Sequence, residues 1–146
     1  MAWRDGKEMS MRKIVLISCV SKKLSHRAKA KDIYVSDLFK KCLAYAQSLN
    51  PDRIFVLSTK YGLIDLEEEI DPYDKTLTKM PSREVKLWAD KVVGHLMKFA
   101  DLEEDEIVFL AGDKYRKYIV PKIRNYKIPL EGLRIGEQLK FLGRTK

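Results

Sequence analysis

Residues 13–20 read KIVLISCV, an almost unbroken apolar run rich in β-branched side chains. A strand with one wet face alternates apolar and polar residues. This run does not alternate, so it predicts a strand covered on both faces, as in a parallel sheet between helices. Two similar runs follow, Arg53–Ser58 (RIFVLS) and residues 107–111 (IVFLA). Between the first two, Leu38, Cys42, Tyr45, Ala46 and Leu49 recur at helical spacing, with Ser36 placed to cap the helix and Asn50-Pro51 to stop it. Pro81-Ser82 opens a second helix, whose apolar stripe runs through Val85, Trp88, Ala89, Val92, Val93, Leu96 and Phe99. Gly112-Asp113 turns into a third, carrying Tyr115, Tyr118, Ile119 and Ile123, which Pro121 must break or kink. An extended segment at 127–130 and a helix at 135–142 complete the pattern. Strand–helix alternation predicts a single three-layer α/β domain with a mostly parallel sheet flanked by helices.

At 146 residues the chain suits one domain that buries roughly two-thirds of its unfolded surface. Residues 1–11 read as a disordered or frayed extension and 12–146 as the domain. No apolar run approaches the ~20 residues that span a bilayer. The N-terminus lacks the apolar stretch and small-residue cleavage pattern of a secretion signal, so a cytoplasmic protein without a membrane partner is expected. The net charge of +8 points to an anionic partner, most simply nucleic acid, with a solubilising lysine-rich surface as the alternative. Residues 22–31 hold Lys22, Lys23, His26, Arg27, Lys29 and Lys31 and no acid, and a second basic cluster spans 114–127. Acids gather at 65–71 and 101–106, so charge reads as segregated. Cys19 and Cys42 form neither a C-x-x-C pair nor, with the two histidines, a zinc set. No metal site and no cofactor is predicted.

The stretch 57–77, LSTKYGLIDLEEEIDPYDKTL, carries the chemistry. Parallel strands run the same way, so three strand ends should meet on one edge, where open α/β sheets bind ligands. The first end offers Ser18, Cys19, Ser21, Lys22 and Lys23, the second Ser58, Lys60, Tyr61 and Gly62, and the third Gly112, Asp113, Lys114 and Tyr115. Hydroxyls, lysines and backbone N–H groups near helix N-termini suit a phosphate. Neither GxxxxGK[ST] nor GxGxxG is present. Lys60 and Tyr61 can act as an acid–base pair, since a lysine beside a phenol lowers its pKa. Asp71 and Asp74, flanking Pro72-Tyr73, are candidate bases or simply turn formers. Cys19 reads either as a thiolate near Lys22 and Lys23 or as a small core residue. Gly62, directly after Lys60-Tyr61, is expected to supply a positive φ or a close backbone approach.

Taken in order, Ser18-Cys19-Val20-Ser21-Lys22-Lys23, LSTKYGLI…IDPYDKTL and FLAGDKYRKYIVP resemble an uncharacterised domain family of bacteria, archaea and their viruses that shares an S-x-K-Y-G-L…P-Y-D core. More distantly, the same blocks resemble the YaaA peroxide-stress proteins, with LISPAK, LSGLYGLL…PYRLEM, a Trp-containing helix matched by Trp88, and LAS-x-E-Y…V-x-P. The resemblance covers roughly Arg12 to Leu133, nearly the whole chain. The positions that match the family's pattern are Ser18, Ser21, Lys22, Lys23, Ser58, Lys60, Tyr61, Gly62, Leu63, Pro72, Tyr73, Asp74, Gly112 and Tyr115. The stress proteins are linked to DNA binding and carry a helix–hairpin–helix insertion between the first two strands. Here only ~32 residues separate those strands, enough for one crossover helix, and the tail keeps Lys140 and Arg144 without the basic AxKARG-type motif.

These readings lead to a nucleotide- or nucleic-acid-recognising domain with a phosphate-binding crevice at the C-terminal strand edge. Lys22, Lys23 and Lys60 would neutralise phosphate, while Tyr61 and Tyr73 stack on a base. An enzyme acting on a nucleobase or glycosidic bond, with Asp74 or Asp71 as base and Tyr61 or Lys60 as acid, is the alternative. A protein-partner-binding domain is the third.

Overall fold

The structure, a computed structural model, describes residues 11–20 and 22–143 and the backbone of 2–4 and 7–9. In chain order the elements are β1 (Ala2–Arg4), β2 (Lys7–Met9), β3 (Lys13–Ser18), β4 (Ala28–Lys29), α1 (Ala30–Ile33), α2 (Asp37–Ser48), β5 (Arg53–Ser58), β6 (Gly62–Asp65) and β7 (Glu69–Ile70). Then follow a 3-10 turn (Leu77–Lys79), α3 (Ser82–Leu96), β8 (Glu106–Leu110), α4 (Asp113–Arg116), a second 3-10 turn (Val120–Lys122), β9 (Tyr126–Lys127) and α5 (Ile135–Gly143).

The main sheet has the order β6-β5-β3-β8-β9. The KIVLIS segment is its centre, parallel to β5 on one side (Ile14 opposite Arg53) and to β8 on the other (Ile14 opposite Ile107). The absence of alternation in its sequence has a direct cause. Ile14 and Leu16 face a core shared with Val85, Trp88, Ala89, Val92 and Leu96 of α3. Val15, Ile17 and Cys19 face Phe39, Cys42 and Ala46 of α2 and Leu142 of α5. Helices thus cover both faces of a mostly parallel sheet, and each fully buried aliphatic side chain contributes roughly 1.5–3 kcal/mol. Ser36 caps α2 by accepting a hydrogen bond from the Phe39 amide (3.0 Å), an interaction typically worth about 1 kcal/mol.

The stretch after β5, which lacks a strand signature, holds two strands. β6 folds back antiparallel on β5, with Ser58 opposite Gly62, and β7 pairs with β4. Leu63 and Ile64 are both buried, yet two apolar residues before Asp65 are too short a run to read as a strand. Gly62 has φ +78°, the expected left-handed conformation. Gly62→Val should therefore cost about 1–3 kcal/mol, read as a lower urea midpoint with an unchanged m-value. An undiminished midpoint would show that the turn relaxes at no cost.

This folding-back also joins charges that lie apart in sequence. Arg27 pairs with Asp71 (3.2 Å), and Glu67 with both Lys29 (2.9 Å) and Lys31 (2.8 Å). The acid-free segment 22–31 is therefore largely neutralised by the acidic segment 65–71, a correction to the segregated reading. Among the described residues no helix is long and apolar enough to cross a membrane.

Candidate functional site

The chain leaves β3 through α2 to reach β5, then returns through α3 to β8 on the other side of β3. Neighbouring connections diverge between β3 and β8, which makes their C-terminal ends the topological switch point of the sheet. A cavity of about 430 Å³ opens there. Its floor is the ends of the two strands, through Ser18 and Cys19 and through Ala111 and Gly112. Leu38, Phe39 and Cys42 of α2 form one wall, and residues 130–133 with Gln138 of α5 the other. The walls are mainly apolar. Asp113, Arg116 and Glu131 lie toward the opening, where Arg116 is held by the Ala111 carbonyl (3.0 Å) and Glu131 (3.6 Å).

Cys19 and Tyr115 meet at the cavity, Sγ to hydroxyl at 3.4 Å. Tyr115 stands edge-on to Trp88 (5.9 Å between ring centres), whose indole N–H donates to the Ser58 carbonyl (2.8 Å). Ser58 in turn donates through Oγ to the Tyr73 hydroxyl (2.9 Å) and accepts from the Tyr61 amide (3.0 Å). The Tyr73 and Tyr34 hydroxyls share a further hydrogen bond (2.7 Å). Lys23 lies over the Tyr73 ring, its ammonium 4.3 Å from the ring centre, within cation–π range.

Electrostatics follow this enclosure. Burial raises the Tyr73, Tyr115 and Tyr34 phenols, and the proximity of Cys19 adds in the same direction. These phenols stay protonated at neutral pH. Burial lowers the Lys23 ammonium, opposed by attraction from Cys19 and Asp74.

The structure divides the sequence-derived candidates. Ser18, Gly112 and Tyr115 line the cavity. Ser58, Tyr73 and Lys23 form the adjoining hydroxyl cluster. Lys22 is exposed, two residues beyond Val20 of the cavity lining, its carbonyl accepting from the Val35 amide (3.0 Å). Ser21 lies outside the described residues. Lys60, Tyr61 and Gly62 sit at the β5–β6 turn, away from the cavity lining, and Tyr61 donates to the Asp71 carbonyl (3.4 Å). Asp74 is exposed near Lys23.

The expectation that three strand ends line one pocket is therefore corrected: they share an edge, but the cavity takes only those of β3 and β8. The end of β5 is closed by Tyr73 on Ser58 and by the hairpin turn. The expected anion cradle of backbone amides is also reduced, because α4 spans only four residues and the Tyr115 and Arg116 amides point back to the Gly112 carbonyl. Sequence reasoning left out Tyr34 and Trp88 as site residues and left Cys19 open between a thiolate and a core residue; it is both buried and on the cavity lining. Tyr34 lies in a basic loop and meets its partner 39 residues away, a contact no local pattern announces.

Residues 14–144 match a family described as Family of unknown function (DUF6884). The chain belongs to this family. No curated protein and no solved structure matches it. The family match spans every part of the cavity and of the hydroxyl cluster, from β3 to the end of α5. Among the described residues of this DUF6884 chain, no cluster of three or more His, Cys, Asp or Glu side chains is placed to hold a metal ion.

Burial also sets a pH dependence. It pushes the Cys42 thiol from 9.0 up to about 12, so the folded chain keeps a proton that the unfolded chain releases. The stability is complete below the unfolded value and is lost as pH rises toward the folded one, by at most about 1.4 kcal/mol per pH unit for each such group. The raised tyrosines act in the same sense and the lowered Lys23 in the opposite one. Urea unfolding at about pH 8 and about pH 10.5 should show a lower midpoint at the higher pH, with a smaller drop in Cys42→Val. Equal drops in the two proteins would remove Cys42 from this effect.

Proposed function

We propose that the protein recognises a nucleotide, with the base in the cavity between β3 and β8 and the phosphate at the edge bearing Lys22. One observation carries this reading: a cavity of about 430 Å³ at the switch point of an open α/β sheet. Its volume falls in the range of small-ligand sites, and its apolar walls bear few polar groups. A planar base suits such walls. Gln138, whose amide nitrogen donates to the Leu133 carbonyl (3.0 Å), keeps an oxygen to accept from the base, and Tyr115 and Ser18 add hydroxyls.

The Cys19–Tyr115 contact favours a second reading, an enzyme acting on the bound base or its glycosidic bond. In that reading the reacting groups are Cys19 and Tyr115 at the cavity, and Lys60, Tyr61 and Asp74 lie outside its lining.

Calorimetric titration with a panel of nucleosides and their monophosphates tests the proposal. Binding of both is expected, with the monophosphates tighter and their advantage shrinking as salt rises. In Lys22→Gln the advantage should shrink while the nucleoside affinity stays. No binding of any member at millimolar concentration would overturn the proposal. Turnover of a bound nucleoside or nucleotide would decide for the enzyme reading.

A further inference from the structure

The exposed side of α3 separates two lysine-lined recesses. Lys60, Lys75 and Lys91 line a shallow groove of about 410 Å³ whose apolar surface comes from Met80, Leu87 and Trp88. Lys114 and Lys117 line a recess of about 210 Å³ on the other side, beside Tyr118. Lys86 lies between them, its ammonium 5.3 Å from the Tyr118 ring centre, and Leu87 is 64% exposed. The five lysines outnumber the two carboxylates that share these recesses, Glu84 and Asp113. Lys60, Lys75 and Lys91 are in no ion pair among the described residues. That distinguishes this face from the basic segment 22–31, which the acidic hairpin neutralises.

Positive charges spread over both flanks of one helix suit a polymer of repeating negative charge better than a single ion. The apolar surface between them, with an aromatic ring at its base, suits sugars and bases better than a run of carboxylates. We propose that this face of α3 binds the backbone of a single-stranded nucleic acid, through Lys60, Lys75 and Lys91 in the groove and Lys114 and Lys117 beyond the helix. The proposal shares its ligand class with the nucleotide reading but stands on a different surface, so either can fail alone.

Fluorescence anisotropy with a labelled oligothymidylate of about 12 nucleotides, at about 50 and about 200 mM salt, tests it. The wild-type protein should bind with a steep loss of affinity as salt rises. K60Q/K75Q/K91Q removes up to three phosphate contacts, so its log–log salt slope should be shallower by about two. The charge-matched variant K40Q/K98Q/K122Q should keep the wild-type slope, and the groove variant should keep its nucleoside affinity in the cavity. Absence of oligonucleotide binding by the wild type, or equal slopes for the two triple variants, would overturn the proposal. Displacement of the oligonucleotide by polyglutamate at matched charge and with matched potency would overturn it in favour of an acidic protein partner.

Discussion

Trp88→Ala is expected to lower the unfolding free energy by about 3–5 kcal/mol, the usual cost of removing a large buried aromatic side chain. Trp88 is 7% exposed and packs α3 onto the sheet in the core that holds Leu57, Phe109 and Ala111. Its N–H also donates to the Ser58 carbonyl (2.8 Å), and its ring supports Tyr115 edge-on. The truncation therefore leaves a void, removes a partner from a buried acceptor and loosens one side of the cavity together. For a chain of this length the loss corresponds to a drop in Tm of about 10 °C or more. Trp88→Phe separates the contributions, because it keeps most of the packing and deletes the donor, at about 1–3 kcal/mol. Urea unfolding of the three proteins measures all of this. A Trp88→Ala midpoint within about 1 kcal/mol of wild type would mean that the site edge does not depend on α3.

The parts of the fold legible in the sequence are those specified by local signals. KIVLIS and RIFVLS are dense enough in apolar residues to mark strands covered on both faces, and Arg53–Ser58 coincides with its expected bounds. Ser36 caps α2 by the side-chain geometry its residue type favours, and Gly62 takes the positive φ that its place after Lys60-Tyr61 implied. Pro121 ends the helical run after α4 and sits in a 3-10 turn. What stayed illegible depends on contacts between distant segments. β7 has only two residues and exists because β4, which precedes it by some forty positions, offers a matching edge, Ala28 opposite Ile70 and Lys29 opposite Glu69.

The site follows the same division. That polar residues gather at strand ends was readable, because parallel strands share an edge. Which ends share a cavity was not, since that depends on strand order, and order is decided by which face each crossover helix covers. β3 lies between β5 and β8, so Ser18 and Gly112 meet while Lys60 is carried away by the turn into an antiparallel edge strand. The charge reading missed for a related reason: Lys29, Lys31 and Glu67 are remote in sequence and adjacent only once β6 has folded back.

Leu133→Trp should abolish nucleotide binding while leaving the fold intact. Leu133 is half-buried on the cavity wall beside Gly132, outside the sheet and outside both core clusters, so a larger side chain there extends into the cavity rather than into packed interior. An indole occupies much of the space a base would take, and the affinity for any cavity ligand should fall 100-fold or more, about 2.7 kcal/mol. Leu38→Trp blocks the same volume from α2 on the facing wall and should have the same effect, which guards against a local distortion at Leu133 being mistaken for occlusion. Both variants keep Lys60, Lys75 and Lys91, so oligonucleotide binding on the α3 face should retain its salt slope. Calorimetry with the tightest-binding monophosphate, beside urea unfolding to confirm native stability, decides the matter. If two folded variants, filling the cavity from opposite walls, bind as the wild type does, the ligand lies elsewhere on the strand edge, and the hydroxyl cluster of Tyr34, Ser58 and Tyr73 becomes the place to look.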